Sequence, residues 1–195
     1  RRQLRDGAGH LPGADAGAGY VDEAMFASAC FYKYFSIHWE TLVKNLYGDV
    51  NLAAHTVGAF ILGAALVTPT GKQNSSAAHN LPDGILVEVR NTPISYANAF
   101  AKPAAQGERD IISQSIAQLG QYVHDLDTGF GKPDKRYWFS PNLRYPLTFR
   151  TKALEKEKEV EKDVTIAENN ITSLDELIPA VIKAIGYDWE EAKKA

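Results

Sequence analysis

The sequence has one cysteine, one methionine and no apolar run long enough to cross a membrane. A lone Cys30 excludes an intrachain disulfide and a metal cage built from several thiolates. The longest apolar stretch, from Thr56 to Val67, covers about 12 residues, whereas a transmembrane helix needs about 20. No charged and then apolar leader opens the chain, so we expect no secretion signal. Together these absences predict a cytoplasmic protein with no membrane partner.

The composition is typical of one folded domain. Hydrophobic residues make up 45% and charged residues 23% of the 195 residues, which is enough for one well-buried core. The chain opens on arginine, so we expect it to be a piece of a longer protein. The net charge is −3, but residues 1–150 carry 14 basic and 13 acidic residues, against 7 and 11 in residues 151–195. A basic face within the first part would still permit RNA binding.

The most informative feature is a polar loop, from Thr68 to Ser76, between a long apolar helix and a run of strand-forming residues. Its glycine lets a backbone approach closely, its lysine adds a positive charge, and its amides and hydroxyls add hydrogen-bond donors. Such a loop suits a phosphate chain better than an apolar ligand, although an ordinary polar connection is the alternative. We therefore predict RNA binding by Gly71, Lys72, Gln73, Asn74, Ser75 and Ser76.

Two further candidate RNA-binding residues, Lys33 and Arg136, lie among aromatic residues. Lys33 stands midway along an aromatic stretch and either reaches RNA or extends along a sheet edge. Arg136 lies within residues 132–150, where five cations face only Asp134. Basic residues interleaved with aromatics can form a nucleic-acid surface, but they also occur on edge strands. The cations are Lys132, Lys135, Arg136, Arg144 and Arg150, and the aromatics are Tyr137, Trp138, Phe139 and Tyr145.

Hydrophobic periodicity and capping residues predict an α+β fold. The strands over 27–38 and 84–90 should share one antiparallel sheet, the second in an interior position, with a helix over 51–67 on one face. That helix is rich in small residues, and we expect it to be buried on more than one side. The remaining predictions are a short helix at 40–47, capping of the long helix by Asp49 or Asn51, a short helix from Pro93 to Phe100, a helix at 109–127, a strand or ribbon at 136–150, a solvated helix or mobile link at 155–163, and a final helix opened by Ser173 and Glu176 and ended by Gly186.

No catalytic residue, metal or cofactor is predicted. The histidines, His10, His38, His55, His79 and His124, lack a ligand spacing and are expected to pack or to lie at the surface. Asp125 and Asp127 could hold a cation, but a solvated helix terminus is the better interpretation of this pair.

Four segments occur in order along the chain: Phe26 to Tyr34, Thr68 to Gln73, Ile85 to Val89 and Pro93 to Phe100. Together they resemble the CasC family, the backbone subunit of the type I-E CRISPR Cascade complex. The resemblance covers about residues 26–102, with weaker agreement at 109–150 and 173–185. Family members are much longer, and the charged run at 155–163 has no counterpart in them.

The resemblance implies a modified RRM-like, ferredoxin-like palm with additional helices, whose N-terminal half is missing here. Residues 1–25 would be a loop or truncation end, 26–150 the palm, and 151–195 a charged link and C-terminal helix of the same domain. Several copies would line up along a CRISPR RNA guide, with other Cascade subunits, and meet target DNA through the guide. A subunit repeated along any guide must hold phosphate, sugar and shape, leaving sequence to base pairing.

Two alternatives remain open. One is a CRISPR RNA-processing endoribonuclease on a related fold, which a cleavage assay on repeat RNA distinguishes. The other is a protein-interaction domain without RNA contact, which salt-dependent RNA titration distinguishes.

Overall fold

The computed structural model describes residues 29–68, 79–104, 110–155, 158–166 and 169–192. These residues form helices and strands in a mixed order, which confirms the α+β class. The helices are α1 (Trp39–Asn45), α2 (Val50–Leu66), α3 (Ile111–Phe130), α4 (Leu174–Ala184) and α5 (Trp189–Ala192), with 3-10 turns at Ala97–Phe100 and Pro141–Leu143. The strands are β1 (Ile85–Val89), β2 (Lys135–Phe139), β3 (Thr148–Glu155), β4 (Lys158–Thr165) and β5 (Asn169–Ile171).

The helices begin where short-range side-chain chemistry predicts. Asp49, rather than Asn51, caps α2 by accepting from the Leu52 N–H at 2.9 Å. Ser173 caps α4 by accepting from the Glu176 N–H at 3.3 Å, and Gly186 follows its end at a φ of +91°. That φ is in the left-handed region, where glycine is favoured. The predicted bounds of α1 to α4 are therefore close to those observed, whereas the short helix predicted from Pro93 begins only at Ala97, as a 3-10 turn.

The main sheet has β2 at its centre, antiparallel to β1 and parallel to β5. Among the described strands β1 lies at an edge, whereas its apolar run predicted an interior position. Alternate residues of β2 enter two different cores. Tyr137 and Phe139 pack with α2 and α4, and Trp138 packs with α3 on the other face. Helices therefore cover both faces of the sheet.

The helix α2 is buried on one side only. Ala53, Ala54 and Gly58 are buried, and a Cβ added at Gly58 would collide with the Trp189 ring of α5. The larger apolar residues Phe60, Leu62 and Leu66 of this helix are each exposed by 39% or more. The prediction of burial on more than one side is therefore wrong for this part of the helix.

Taken singly, no helix in the described ranges is long and apolar enough to cross a membrane. The pair α1 and α2 passes that test together, on length and composition only, but the two helices are bent by 118° at their junction.

The predicted strand at 27–38 is wrong for the described part. Residues 29–38 form no strand, and β1 pairs with β2 instead of with this segment. Alternating side chains favour a strand only where a backbone partner completes the ladder. Here side chains hold the segment: the Tyr32 ring lies 5.3 Å from Phe100, and the Phe35 ring 5.1 Å from Phe60. Residues 27 and 28 lie outside the described residues.

The predicted solvated helix or link at 155–163 is also wrong. The strands β3 and β4 form an antiparallel pair in which Thr148 faces Thr165 and Arg150 faces Asp163. Opposite charges across the pair favour this arrangement. The Arg150 guanidinium lies 3.4 Å from Asp163 and 3.3 Å from Glu161. The boundary drawn between residues 150 and 151 therefore falls inside β3.

Candidate nucleic-acid interface

The predicted phosphate-binding loop lies between two described elements. Gly71, Lys72, Gln73, Asn74, Ser75 and Ser76 all fall within residues 69–78, outside the described residues. The preceding helix α2 ends at Leu66, where the Val67 N–H donates to the Gly63 carbonyl at 2.9 Å. The following strand β1 begins at Ile85. RNA binding by the loop stays a prediction.

Lys33 lies on an exposed stretch that we call the aromatic segment, residues 29–38. Every residue of this segment is exposed, and Phe31 reaches 81%. The segment is anchored on both sides of Lys33. Tyr32 accepts from the Tyr96 N–H through its hydroxyl at 3.1 Å, and Phe35 packs edge-on against Phe60. Lys33 is therefore displayed to solvent between two aromatic anchors.

The second anchor connects the aromatic segment with the predicted loop. Phe60 belongs to α2, six residues before the helix ends at Leu66. At the rise of an α-helix, that distance is about 9 Å along the axis. The segment that displays Lys33 thus packs on the helix that leads directly into the loop.

Arg136 is buried within the fold instead of lying at the surface. It is 5% exposed and stands opposite Glu88 in the pairing of β1 with β2. Its Nε donates to Glu88 at 2.6 Å, and its two terminal nitrogens donate to the two oxygens of Asp127 at 2.6 and 2.7 Å. Burial alone would lower the pKa of Arg136, but the hydrogen bonds to Asp127 and Glu88 outweigh it and raise that pKa. These contacts do not support RNA contact by Arg136, which stays a prediction.

Asp127, the partner of Arg136 on α3, also lies in a different environment from the predicted one. Asp127 is 6% exposed and paired with arginine, so the prediction of a solvated helix terminus is wrong for this residue. Asp125 accepts from the Gln121 amide at 3.1 Å at the surface. Glu88 of β1, Arg136 of β2 and Asp127 of α3 together form a buried network of charges. Only the strand register brings Glu88 and Arg136 together, because 48 residues separate them.

Tyr96 completes the buried network. Its hydroxyl lies 2.9 Å from one Glu88 oxygen and 3.1 Å from the other, and it donates to this carboxylate. Burial, and then the nearby Glu88 charge, raise the pKa of Tyr96 above its ordinary value of 10.0. The folded protein therefore holds this proton more tightly than the unfolded chain does.

The raised pKa of Tyr96 predicts that the folded protein loses stability in alkaline solution. Its contribution is complete below the unfolded pKa of 10.0 and is lost as the pH rises towards the higher folded pKa. We expect Tyr96→Phe to lower the unfolding free energy by about 1 kcal/mol near neutral pH, because two hydroxyl contacts are lost. The variant should then lose less stability above pH 10.0 than the wild type. Urea unfolding across this range measures both effects, with the exposed Tyr34→Phe as control. Equal alkaline slopes in Tyr96→Phe and wild type would contradict the assignment.

The described histidines occupy packing and surface positions. His38 accepts from the Thr41 N–H at 3.2 Å and caps α1. His55 packs edge-on against Trp189, and His124 stacks on Phe149 at 3.7 Å between ring centres. Within the described ranges, no group of three His, Cys, Asp or Glu side chains could hold a metal ion.

Solved structures share this fold. One, described as a CRISPR RNA-guided surveillance complex, matches with a TM-score of 0.60 and 24% identity over 76% of this chain. A second, described as a CRISPR RNA-guided surveillance complex, pre-nicking, matches with a TM-score of 0.56 and 26% identity over 75% of this chain. This chain covers 50% of the first matched chain and 35% of the second. It therefore spans half of their length or less.

Family comparison gives the assignment. No curated protein matches the chain significantly. The model of the family described as CT1975-like protein matches residues 8–168, which is most of the sequence. The match includes the loop at 69–78, the aromatic segment and the main part of the sheet. The chain therefore belongs to the CT1975-like family of Cas proteins.

Proposed function

We propose that this chain belongs to a non-catalytic subunit that binds CRISPR RNA and forms the backbone of a Cascade-type complex. Copies of the subunit would line up along the guide RNA, beside other Cascade subunits, in the cytoplasm. Target DNA would reach the subunit through pairing with the guide. The finer assignment, a type I-E CasC subunit with an RRM-like palm, rests on the four ordered segments of the sequence. The observation that carries the proposal is a Cas family match on a fold shared with chains of RNA-guided surveillance complexes.

The aromatic segment supports a grip that is independent of base sequence. Lys33 is exposed beside Phe31, which is 81% exposed. An aromatic ring can stack on any base, and a lysine can neutralise any phosphate. The loop that carries Lys72 follows the helix on which this segment packs. Together these residues offer charge and stacking without a base-specific pattern of donors and acceptors.

The exposed apolar surface supports assembly with other protein chains. Phe35 and Phe60 touch each other while remaining 53% and 39% exposed. Exposed apolar side chains that pack together on a protein surface favour contact with protein. The proposed partners at this surface are further copies of the chain and other Cascade subunits.

The test of this function is RNA binding at several salt concentrations by the intact protein. We expect Lys72→Ala and Lys33→Ala to weaken binding equally for unrelated RNA sequences, because each removes a phosphate contact. Each should reduce the slope of log affinity against log salt by about 0.7 to 1. Lys183→Ala is the matched control, since Lys183 is an exposed lysine on α4 and outside the proposed interface. Denaturing gels of the same samples should show intact RNA, as expected for a non-catalytic subunit.

Two results would count against the proposed grip. An unchanged salt slope in both Lys72→Ala and Lys33→Ala would assign the loop and the aromatic segment to the fold alone. A loss of binding that depends on base identity would indicate a base reader instead of a backbone grip. RNA cleavage that a single substitution abolishes would favour the processing endoribonuclease.

A further inference from the structure

The strand β1 has a free edge that lacks the usual protection against pairing. It pairs with β2 on one side, and no other strand in the described ranges pairs with it. Free edges are usually protected by charged side chains or proline. Four of the five residues of β1 are apolar, and the side chain of the fifth, Glu88, is only 8% exposed and lies in the buried network. Such an apolar run is typical of a strand inside a sheet.

The aromatic segment contacts both of the layers that cover the sheet. Tyr32 packs against Phe100, which belongs to the cluster on the α3 side of the sheet. Phe35 packs against Phe60 of α2, which covers the other side. Neighbouring residues of β1 alternate between the same two clusters. Side chains that alternate between two faces indicate that the aromatic segment follows the plane of the sheet.

The aromatic segment and β1 are nevertheless not adjacent strands. Tyr96 lies between them: its N–H donates to the Tyr32 hydroxyl at 3.1 Å, and its own hydroxyl donates to Glu88 of β1 at 2.9 Å. Two tyrosine residues in series therefore connect the two backbones. Adjacent strands lie only about 4.8 Å apart, so this connection is longer than one strand spacing. A gap separates β1 from the aromatic segment in the plane of the sheet.

The helix α2 covers the same gap from the opposite face. Val57 of α2 packs in one cluster with Ile85 and Val87 of β1, whereas Phe60 contacts Phe35 of the aromatic segment. The helix thus reaches from one side of the gap to the other. Phe60 is still 39% exposed, so apolar surface remains for a further element to cover.

We propose that a strand from polypeptide beyond these 195 residues fills this gap and pairs with β1 on one side and with residues 29–38 on the other. The matched surveillance-complex chain is twice as long as the part that this chain covers, so it holds enough further polypeptide for such a strand. The inserted strand has about the five residues of β1 and is apolar on both faces, because α2 covers one face and Tyr96 the other. RNA binding is not needed for this pairing.

Amide hydrogen exchange of the full-length protein, measured by mass spectrometry, tests the inserted strand. Residues 29–38 and β1 should exchange at least about a hundredfold more slowly than unprotected amides, as β2 does, because paired strands open only when much of the fold opens. A further run of slowly exchanging residues outside residues 1–195 should identify the strand itself.

Proline substitutions distinguish an interior β1 from an edge strand. Consecutive residues of a strand direct their N–H groups to opposite edges, so an edge strand tolerates proline at alternate positions. If β1 is interior, Leu86→Pro and Val87→Pro should each speed the exchange of β2 at least about tenfold over the matched Leu86→Ala and Val87→Ala, because each loses a ladder hydrogen bond. If β1 is an edge, only one of the two proline variants should do so.

Four results would overturn the inserted strand. Fast exchange of residues 29–38 in the full-length protein, or tolerance of one of the two proline variants, would leave the gap empty. Protection that is lost on dilution, together with a fall to the mass of one chain, would assign the gap to a second copy. Slow exchange within residues 1–28, with none outside the 195 residues, would assign it to the chain's own N-terminal residues.

Discussion

Arg136→Ala should lower the free energy of unfolding by about 3 to 5 kcal/mol, the usual cost of removing one partner from a buried ion pair. The substitution leaves Glu88 and Asp127 as buried carboxylates, with side chains only 8% and 6% exposed. Arg90 is the remaining cation beside them, and its hydrogen-bond geometry to both is poor. The free energy of unfolding of a typical domain is about 5 to 15 kcal/mol in total, so this change alone would remove a large part of the stability.

Chemical denaturation of wild type and Arg136→Ala measures the effect, with Arg150→Ala as the control. Arg150 also pairs with two carboxylates across a pair of strands, but its side chain is 53% exposed. Exposed ion pairs contribute about 1 kcal/mol or less, so Arg150→Ala should change stability little. Equal losses in the two variants would show that burial does not strengthen the Arg136 network.

Gly120→Ala should destabilise the fold by about 2 to 3 kcal/mol, the cost of forcing an extra carbon into a packed contact. Gly120 lies in α3, and a Cβ added there would collide with the backbone carbonyl of Thr148 at the start of β3. A backbone atom cannot rotate away as the end of a flexible side chain can. The neighbouring Gln121 accepts from the Arg150 N–H at 3.2 Å, so the helix and strand are held together at this point.

Gly129→Ala is a matched control in the same helix. A Cβ at Gly129 meets no heavy atom within 4 Å. Alanine favours a helix over glycine by up to about 1 kcal/mol, so this variant should be slightly more stable than wild type. Urea unfolding of both variants should therefore give changes of opposite sign. Destabilisation by Gly129→Ala equal to that by Gly120→Ala would remove the Thr148 contact as the explanation.

The candidate site was only partly predictable. A lysine within an aromatic stretch makes Lys33 a candidate, and the structure places it at the surface. The same pattern makes Arg136 a candidate, yet it is buried against Glu88 and Asp127. In the sequence, a basic residue among aromatics gives the same pattern whether it lies on an exposed segment or on a central strand. Arg90, which lies beside Glu88 in the buried network, gave no signal beyond a charge at the end of an apolar strand.

What the sequence determined by itself is local. The caps at Asp49 and Ser173, the glycine after α4 and the periodicity of α3 all depend on atoms within a few residues along the chain. These signals predicted the helices, and the residues of β1, without knowledge of the rest of the fold.

Only the tertiary structure decided which extended segments pair and which charges are buried. Residues 29–38 have the alternation of a strand but pack through aromatic rings, whereas residues 158–165 form a strand because β3 supplies a backbone partner, with Arg150 opposite Asp163 and Lys152 opposite Glu161. The strand pairing that places Glu88 opposite Arg136 joins residues 48 positions apart. A strand needs a partner supplied from elsewhere in the chain, and burial of a side chain depends on all the elements around it. Neither can be obtained from the local pattern of residues.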